Sequence, residues 1–277
     1  MAERELPSFD LVVATVSRVK ELGSLLASLE RQTYRDFRVV LVDQNDDDRI
    51  AEVHRAHDLD IERLSAPRGL SRARNAALPH LQGDVVAFPD DDCVYPDDLL
   101  ERVARRLAAA PSLDGLTGRS ADANGRSSPS WRPDAAPITR DNLWNRAISY
   151  AIFLRRSLVE RVGPFDEQLG LGAGTAWSSG EEIDYVVRAL DAGGRIVYDP
   201  ELVVVHGPET RSGRVVGARD GASVGYLLRK HRYPLRTVAR MLARPAGGVA
   251  LSVVRNDRAR ARFHAATLRG RLRGYLQ

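Results

Sequence analysis

A single cysteine, Cys93, stands among 277 residues. No disulfide can form within the chain, and a reducing cytoplasm suits it. Long apolar runs are also missing. The longest uncharged apolar stretch near the C-terminus, Pro245 to Val254, is about half of the ~20 residues that a membrane-spanning helix requires. The opening MAERELPSFD is charged and has no apolar centre, so no secretory signal is expected. Aromatic residues make up only 6% and form no interleaved platform with the basic ones, which argues against nucleic-acid binding. Acidic residues nearly vanish at one end: from Arg211 onward fifteen Arg and one Lys face two Asp, a balance of +14 that leaves −10 for residues 1–210. An acidic body thus carries a basic tail that should seek an anionic surface.

What remains is 43% hydrophobic and 28% charged, enough to bury a full core as one large domain or one domain with an appendage. Leu11 to Ala14 reads as a strand, and Lys20 to Gln32 as a helix with Leu22, Leu25, Leu26 and Leu29 on one face. Phe37 to Val42 and Ile61 to Leu64 are further strands. Ser71 is a candidate cap for a helix through Leu78, and Val85 to Phe88 is a short buried strand before a helix marked by Leu99, Leu100, Val103 and Leu107. Alternating strands and helices predict an α/β fold with a mostly parallel sheet and helices on both faces. Ligands of such sheets bind beyond the carboxyl ends of the strands. Three polar clusters fall there: Thr15 to Arg18, Asp43 to Asn45, and Asp90 to Asp92.

The last cluster organises the rest. Three consecutive carboxylates repel one another, and in extended geometry Asp90 and Asp92 point to the same side, where a divalent cation would offset the repulsion. The same residues could instead solvate a turn or cap a helix starting near Pro96. A buried carboxylate such as Asp43 can accept from the imide N–H of uracil or thymine, or from guanine. Arg18, Arg68, Arg72 and Arg74 supply cations for phosphates, and Asn75 follows in the run GLSRARNAAL. Together these pieces suggest a nucleoside-diphosphate ligand.

In order, VVATVSRVKELGSLLASLERQ, VVLVDQNDDD, GLSRARNAAL and GDVVAFPDDDCVYPDDLL resemble the nucleotide-sugar-binding half of inverting family-2 glycosyltransferases of bacterial polysaccharide and glycolipid synthesis. VGPFDEQLGLGAGTAWSSGEEIDYVVRALDAGG and RIVYDPELVVVHG resemble their acceptor half. The resemblance covers roughly residues 9 to 207. It implies a GT-A fold, a Rossmann-like unit with a mixed, mostly parallel sheet, over residues 1–208. About 9–112 would bind the nucleotide sugar and about 113–208 the acceptor, with 209–277 a basic amphipathic helical extension. It also implies a DxD-type motif in which Asp92 contacts Mn²⁺ or Mg²⁺, His206 reaches the same metal, and Asp90 and Asp91 lie nearer the nucleotide. Asp43 would meet the base, and Thr15, Arg18, Asn45, Arg68, Arg74 and Asn75 would line a UDP-, dTDP- or GDP-sugar.

Single displacement needs a base for the acceptor hydroxyl and neutralisation of the departing diphosphate. The family pattern is Glu-Asp, with the second residue as base. This chain has Glu-Glu, so Glu182 is the expected base, with Glu181 and Asp184 as neighbours that share or replace its role. Helix-dipole capping by these carboxylates is the plainer alternative. Ser120 to Pro137 reads as a surface loop. Glycines at 170, 172 and 174 suit a segment, Leu171 to Ser179, that closes over the acceptor, with Gly172 contacting it and Trp177 stacking on a sugar ring or filling the core.

Tyr233 to Arg244 and Arg255 to Arg273 read as basic amphipathic helices. They either dock on the body or attach the protein to anionic lipid at the inner face of the membrane, where a lipid-linked glycan would be presented. Two rivals remain to the enzyme reading. A sugar nucleotidyltransferase would need a glycine-rich phosphate loop that VATVSRVKELG lacks, and a silent nucleotide-sugar or membrane-binding scaffold would bind without turnover.

Overall fold

The computed structural model describes residues 5–128, 130–207 and 214–277. The boundary expected between 208 and 209 lies outside these residues, as do Pro129 of the expected loop and Arg211 of the tail. The chain divides into two compact units, one of residues 1–68, 72–165 and 185–208 and the other of 69–71, 166–184 and 209–277.

The first unit holds the sheet. Strand β1 (Phe9–Thr15) feeds helix α1 (Val19–Glu30), followed by β2 (Phe37–Asp43), the short α2 (Ala51–Arg55) and β3 (Ile61–Ser65). Helix α3 (Leu70–Ala77) precedes β4 (Val85–Ala87), β5 (Cys93–Val94), α4 (Leu99–Ala109) and β6 (Gly115–Ala121). Then come β7 (Ala136–Pro137), β8 (Ile152–Arg155), α5 (Arg156–Val162), α6 (Glu181–Asp191) and β9 (Ile196–His206). Among the described residues the strands form one mixed sheet in the order β3-β2-β1-β4-β8-β6-β9-β5, with β7 paired to β9. The run from β3 to β4 is parallel, β8 is antiparallel to β4 and β6, and β6 is parallel to β9. This is the mixed, mostly parallel α/β architecture that the alternation predicts.

The sequence pattern accounts for the core. Leu22, Leu25, Leu26 and Leu29 of α1 and Leu100, Val103 and Leu107 of α4 are fully buried, in one cluster with Leu11, Val39 and Val85 of the sheet. At about 1.5–3 kcal/mol per buried aliphatic side chain, the four leucines of α1 supply up to roughly 6–12 kcal/mol. Two local expectations change. Ser71 lies inside α3 rather than capping it, and its Oγ donates to the Leu169 carbonyl at 2.8 Å. The helix expected through Leu78 ends at Ala77 and tightens into a 3₁₀ turn, Leu78–His80, because Pro79 has no N–H to continue the ladder.

The second unit contains helices α7 (Arg214–Lys230), α8 (Leu235–Val254) and α9 (Arg258–Leu276). Sequence periodicity missed α7 and ended the next helix near Arg244, whereas α8 continues through Pro245. The proline leaves the Met241 carbonyl without its helical donor, and Arg271 Nη1 of α9 donates to that oxygen instead. Burial, with Arg244 nearby, brings the Arg271 guanidinium down to about 10. Helices α7 and α9 run parallel and touch backbone to backbone. Gly217, Gly221 and Gly225 of α7 face Phe263, Thr267 and Arg271 of α9, while Gly270 and Gly274 face Ala218 and Ala222. Four-residue spacing puts these glycines on one stripe, and each lets the partner backbone approach where a Cβ would collide.

Candidate active site

Sheet register gathers the donor-side residues at one edge. Thr15 pairs with Asp43 across β1 and β2, and Ala14 bridges to Asp90 beyond the end of β4. Cys93 of β5 pairs with His206 at the end of β9. The residue before Cys93 is therefore carried to the imidazole, and His206 Nε2 lies 3.1 Å from Asp92 Oδ1. Donor atoms of Asp90, Asp92 and His206 lie within 4.8 Å of one another. Cys93 itself is a buried filler whose thiol burial pushes well above its usual range.

The three aspartates have different partners. Asp90 Oδ1 is 3.5 Å from Arg74 Nη2 and 3.3 Å from Ser149 Oγ. Asp91 is buried, and its two oxygens accept from Thr15 Oγ1 at 2.8 Å and Arg18 Nη1 at 2.9 Å. Asp92 Oδ2 is 2.5 Å from Arg18 Nη1. Burial pushes the Asp91 carboxyl up to about 6, against the pull of Thr15 and Arg18. Burial also works on Asp92, but the hydrogen bond from His206 and the charges of His206 and Arg18 outweigh it and hold that carboxyl below its ordinary range. The bond to Asp92 in turn raises the His206 imidazole above its ordinary value. Two carboxylates and an imidazole make a mixed oxygen and nitrogen set that fits Mn²⁺ and tolerates Mg²⁺. None of the three aspartates caps α4, which Asp98 precedes.

At the end of β2, Asp43 Oδ1 accepts from the backbone and side-chain N–H groups of Asn45 at 2.9 and 2.7 Å. Asn45 Oδ1 accepts from Ser17 N–H at 2.7 Å, where Ser17 adopts φ +63°, and so ties the ends of β1 and β2 together. A cavity of about 450 Å³ opens here, lined by Asp43, Asn45 to Asp48, and Arg63 to Ser65. Arg68 is mostly exposed, 3.4 Å from Asp46. Arg74 is 2% exposed, with its guanidinium over the rings of Phe88 and Phe165. The Asn75 amide bonds both polar groups of the Phe165 backbone, at 2.7 and 3.0 Å.

Three participants were not visible to pattern reading. Arg63 of β3 donates to Asp43 Oδ2 at 2.6 Å, the Tyr150 ring stacks on His206 at 4.8 Å and 8°, and Ser149 meets Asp90. None sits in a recognisable motif. Only the pairing of β2 with β3, which puts Asp43 opposite Ser65 two positions beyond Arg63, could have pointed to the first.

In the second unit, the turn that opens α6 carries the candidate bases. Glu181 is 6% exposed, Glu182 is half-buried and Asp184 is fully buried. Asp184 Oδ1 receives Lys230 Nζ at 2.5 Å and His231 Nε2 at 2.8 Å, and the same lysine reaches Asp166 Oδ2 at 2.6 Å. Asp184 is therefore the anchor of α7's C-terminal end, and Glu182 is the most exposed of the three residues, although its Oε2 is buried. Trp177 is half-buried and stacked on Tyr226 of α7 at 4.7 Å and 13°, so its ring already has an aromatic partner. Gly172 is exposed at φ +76°, a backbone conformation that suits glycine.

Comparison with known proteins identifies the family and the fold. Residues 10–162 match glycosyl transferase family 2. The chain is 24% identical over 213 residues to glycosyltransferase AglE of Haloferax volcanii, covering 73% of this chain and 67% of that one. It is 27% identical over 220 residues to the pre-mycofactocin glycosyltransferase of Mycobacterium tuberculosis, again over 73% of this chain but only 43% of the relative's length. The mannosyltransferase PcManGT of Pyrobaculum calidifontis, solved with GDP-Man and Mn²⁺, shares the fold with a TM-score of 0.66 at 19% identity, over 98% of this chain and 87% of its own. The match spans more than half of the sequence, and the chain belongs to glycosyl transferase family 2.

Proposed function

We propose that this protein transfers a sugar from a nucleoside-diphosphate sugar to a hydroxyl of a glycan or lipid-linked glycan, by metal-dependent single displacement with inversion. The observation that carries the reading is the convergence of Asp90, Asp92 and His206 within 4.8 Å at the strand edge that also holds Asp43. Asp92 and His206 would hold the cation, with Asp90 on its nucleotide side. When bound, such a cation neutralises the diphosphate as it departs. Arg18 and Arg74 add positive charge beside the same carboxylates, and Asp43, supported by Arg63 and Asn45, accepts from the base edge of uracil, thymine or guanine. The GDP-Man and Mn²⁺ of the mannosyltransferase are compatible with that donor class.

Glu182 is the proposed base. It accepts the proton of the acceptor hydroxyl, Glu181 flanks it, and Asp184 fixes the turn that carries both. Residues 9–112 are assigned to the donor, 113–208 to the acceptor, and the basic residues of 211–277 to an anionic membrane surface on which a lipid-linked acceptor is presented. No described helix is long and apolar enough to cross a membrane.

The test is a thermal-shift and sugar-nucleotide hydrolysis screen of UDP-, dTDP- and GDP-sugars with and without Mn²⁺, on wild type and Asp92→Ala. Metal-dependent stabilisation by one nucleotide class, abolished in the variant, is the expected result. Equal behaviour of both proteins with every nucleotide would refute the donor site.

A further inference from the structure

Helix α8 packs on α9 along one side. On the α9 side, Met241, Pro245 and Ser252 are buried, and a Cβ on Gly248 would lie 2.7 Å from the His264 ring. Around the rest of its last turn Leu251, Val253 and Val254 are 50%, 66% and 84% exposed, at the end of a ten-residue stretch without a charge. Three neighbouring large aliphatic side chains left in water are costly. The stretch ends in a sharp turn, with Asn256 at φ +54° and Asp257 accepting from Arg260 N–H to start α9. Arg255, Arg258, Arg260 and Arg262 follow, all exposed. The turn between the two helices thus ends in an apolar tip with a collar of four arginines, and Asp257, the single acid nearby, is used as a helix cap.

We infer that this α8–α9 tip is a wedge that inserts into an anionic lipid bilayer, with Leu251, Val253 and Val254 entering the acyl boundary and the four arginines resting on the headgroups. The inference rests on the membrane-surface reading above and narrows it to one corner of the tail. Charge selects the occupant. A second copy brought to the same patch would place four arginines against four arginines around a small apolar contact, whereas an anionic headgroup layer neutralises the collar. Apolar residues beside arginines are also what interfacial helices use to lie in the headgroup region without spanning the bilayer.

Sedimentation of the full chain with extruded vesicles tests this, using phosphatidylcholine alone and a 7:3 mixture with phosphatidylglycerol. Wild type should pellet with the anionic vesicles only. The variant Leu251→Ser/Val253→Ser/Val254→Ser should lose at least tenfold in partitioning with an unchanged thermal transition, since all three side chains are exposed. Replacing Arg255, Arg258, Arg260 and Arg262 by Gln should cost two to three orders of magnitude, at roughly fivefold per arginine. Replacing Arg236 and Arg244, in the first half of α8, should change partitioning less than threefold.

Serine variants that bind like wild type, or loss confined to the Arg236 and Arg244 variant, would overturn the wedge while leaving membrane attachment standing. Wild type that stays in solution with both vesicle types would overturn attachment altogether. A dimer in sedimentation velocity that the serine variant splits would give the patch to a second copy. No nucleotide sugar enters the assay, so none of these outcomes depends on catalysis.

Discussion

Lys230→Met should loosen the turn that carries the candidate base, and the size of the effect follows from three contacts. Asp184 is fully buried, and its Oδ1 holds both Lys230 Nζ and His231 Nε2, while the lysine also bridges to Asp166. Breaking a fully buried ion pair by removing one partner costs about 3–5 kcal/mol. Two features reduce that here: His231 stays on the same oxygen, and the Lys230 side chain is 25% exposed, so water can replace part of the ammonium. The expected cost is about 2–3 kcal/mol. Urea unfolding followed by Trp177 fluorescence in a Trp131→Phe/Trp144→Phe background reads it directly, because Trp177 stacks on Tyr226 of the same helix. A double-mutant cycle with Asp184→Asn should return a coupling of about 1.5–3 kcal/mol.

The pH dependence gives a second check with a definite sign. Burial opposes the charge on Lys230, but Asp166 and Asp184 overcome it and raise the ammonium above its ordinary 10.5. Stability from a raised lysine is fully present below that ordinary value and is lost as pH rises through the folded one. The gap between wild type and Lys230→Met should therefore stay constant from pH 7 to about 9 and close only above lysine's usual range. In turnover assays kcat should fall while nucleotide-sugar affinity holds, since the residues proposed to bind the donor belong to the other unit. A coupling below about 0.5 kcal/mol, or a gap that already closes near neutrality, would refute the anchoring role.

Tyr150→Leu removes the ring stacked on His206 and should weaken Mn²⁺ binding by roughly tenfold in isothermal titration, since groups that orient metal ligands typically carry 10–100-fold in affinity. Two glycines should respond with opposite sign in thermal unfolding. Gly221→Ala should destabilise by about 1–3 kcal/mol because its Cβ would lie 2.6 Å from the Thr267 carbonyl, whereas Gly247→Ala, with open space around it, should stabilise by about 0.5–1 kcal/mol through helix propensity. Asp114 is partly buried, which raises its carboxyl, but the Arg195 N–H at 2.9 Å and Arg161 at 3.1 Å prevail and hold it below its ordinary 3.8. A lowered carboxyl stabilises above the ordinary value and loses that contribution as pH falls through the folded one, so Asp114→Asn should cost about 1–2 kcal/mol at pH 7 in acid–urea titrations and progressively less as pH falls below the carboxyl's ordinary value.

Much of the donor side was legible because it depends on two short-range rules. Period-two and period-3.6 patterns identify β1, α1, β2 and β4, and ligand groups fall just past the strand ends, so Thr15, Asp43 and Asp90 could be placed on one edge before any coordinates. His206 was reachable only through the family resemblance, since nothing in VVVHG says that its strand pairs with Cys93. Arg63 and Tyr150 were beyond reach for a related reason. Each is ordinary in its own segment and acquires a role only through a neighbour 20 or more residues away, Asp43 for one and His206 for the other.

The tail resisted reading for a different physical reason. Helix α7 is mostly small or polar along its length and has no leucine stripe, so hydrophobic periodicity passes over it. Its stabilising surface is a row of glycines at four-residue spacing, and glycine scores as a helix breaker in isolation. The row becomes favourable only when a parallel partner with its own small residues, Ala266, Gly270 and Gly274 in α9, comes close enough for backbone contact. A proline inside α8 is likewise tolerated only because Arg271 of α9 supplies the missing donor at Met241. Both apparent defects are thus resolved by α9, and each would count against its helix in any reading that considers one segment at a time. The same logic applies to Asp184. As one carboxylate in Glu-Glu-Ile-Asp it reads as a spare base, and only Lys230 and His231 at the end of α7 make it an anchor.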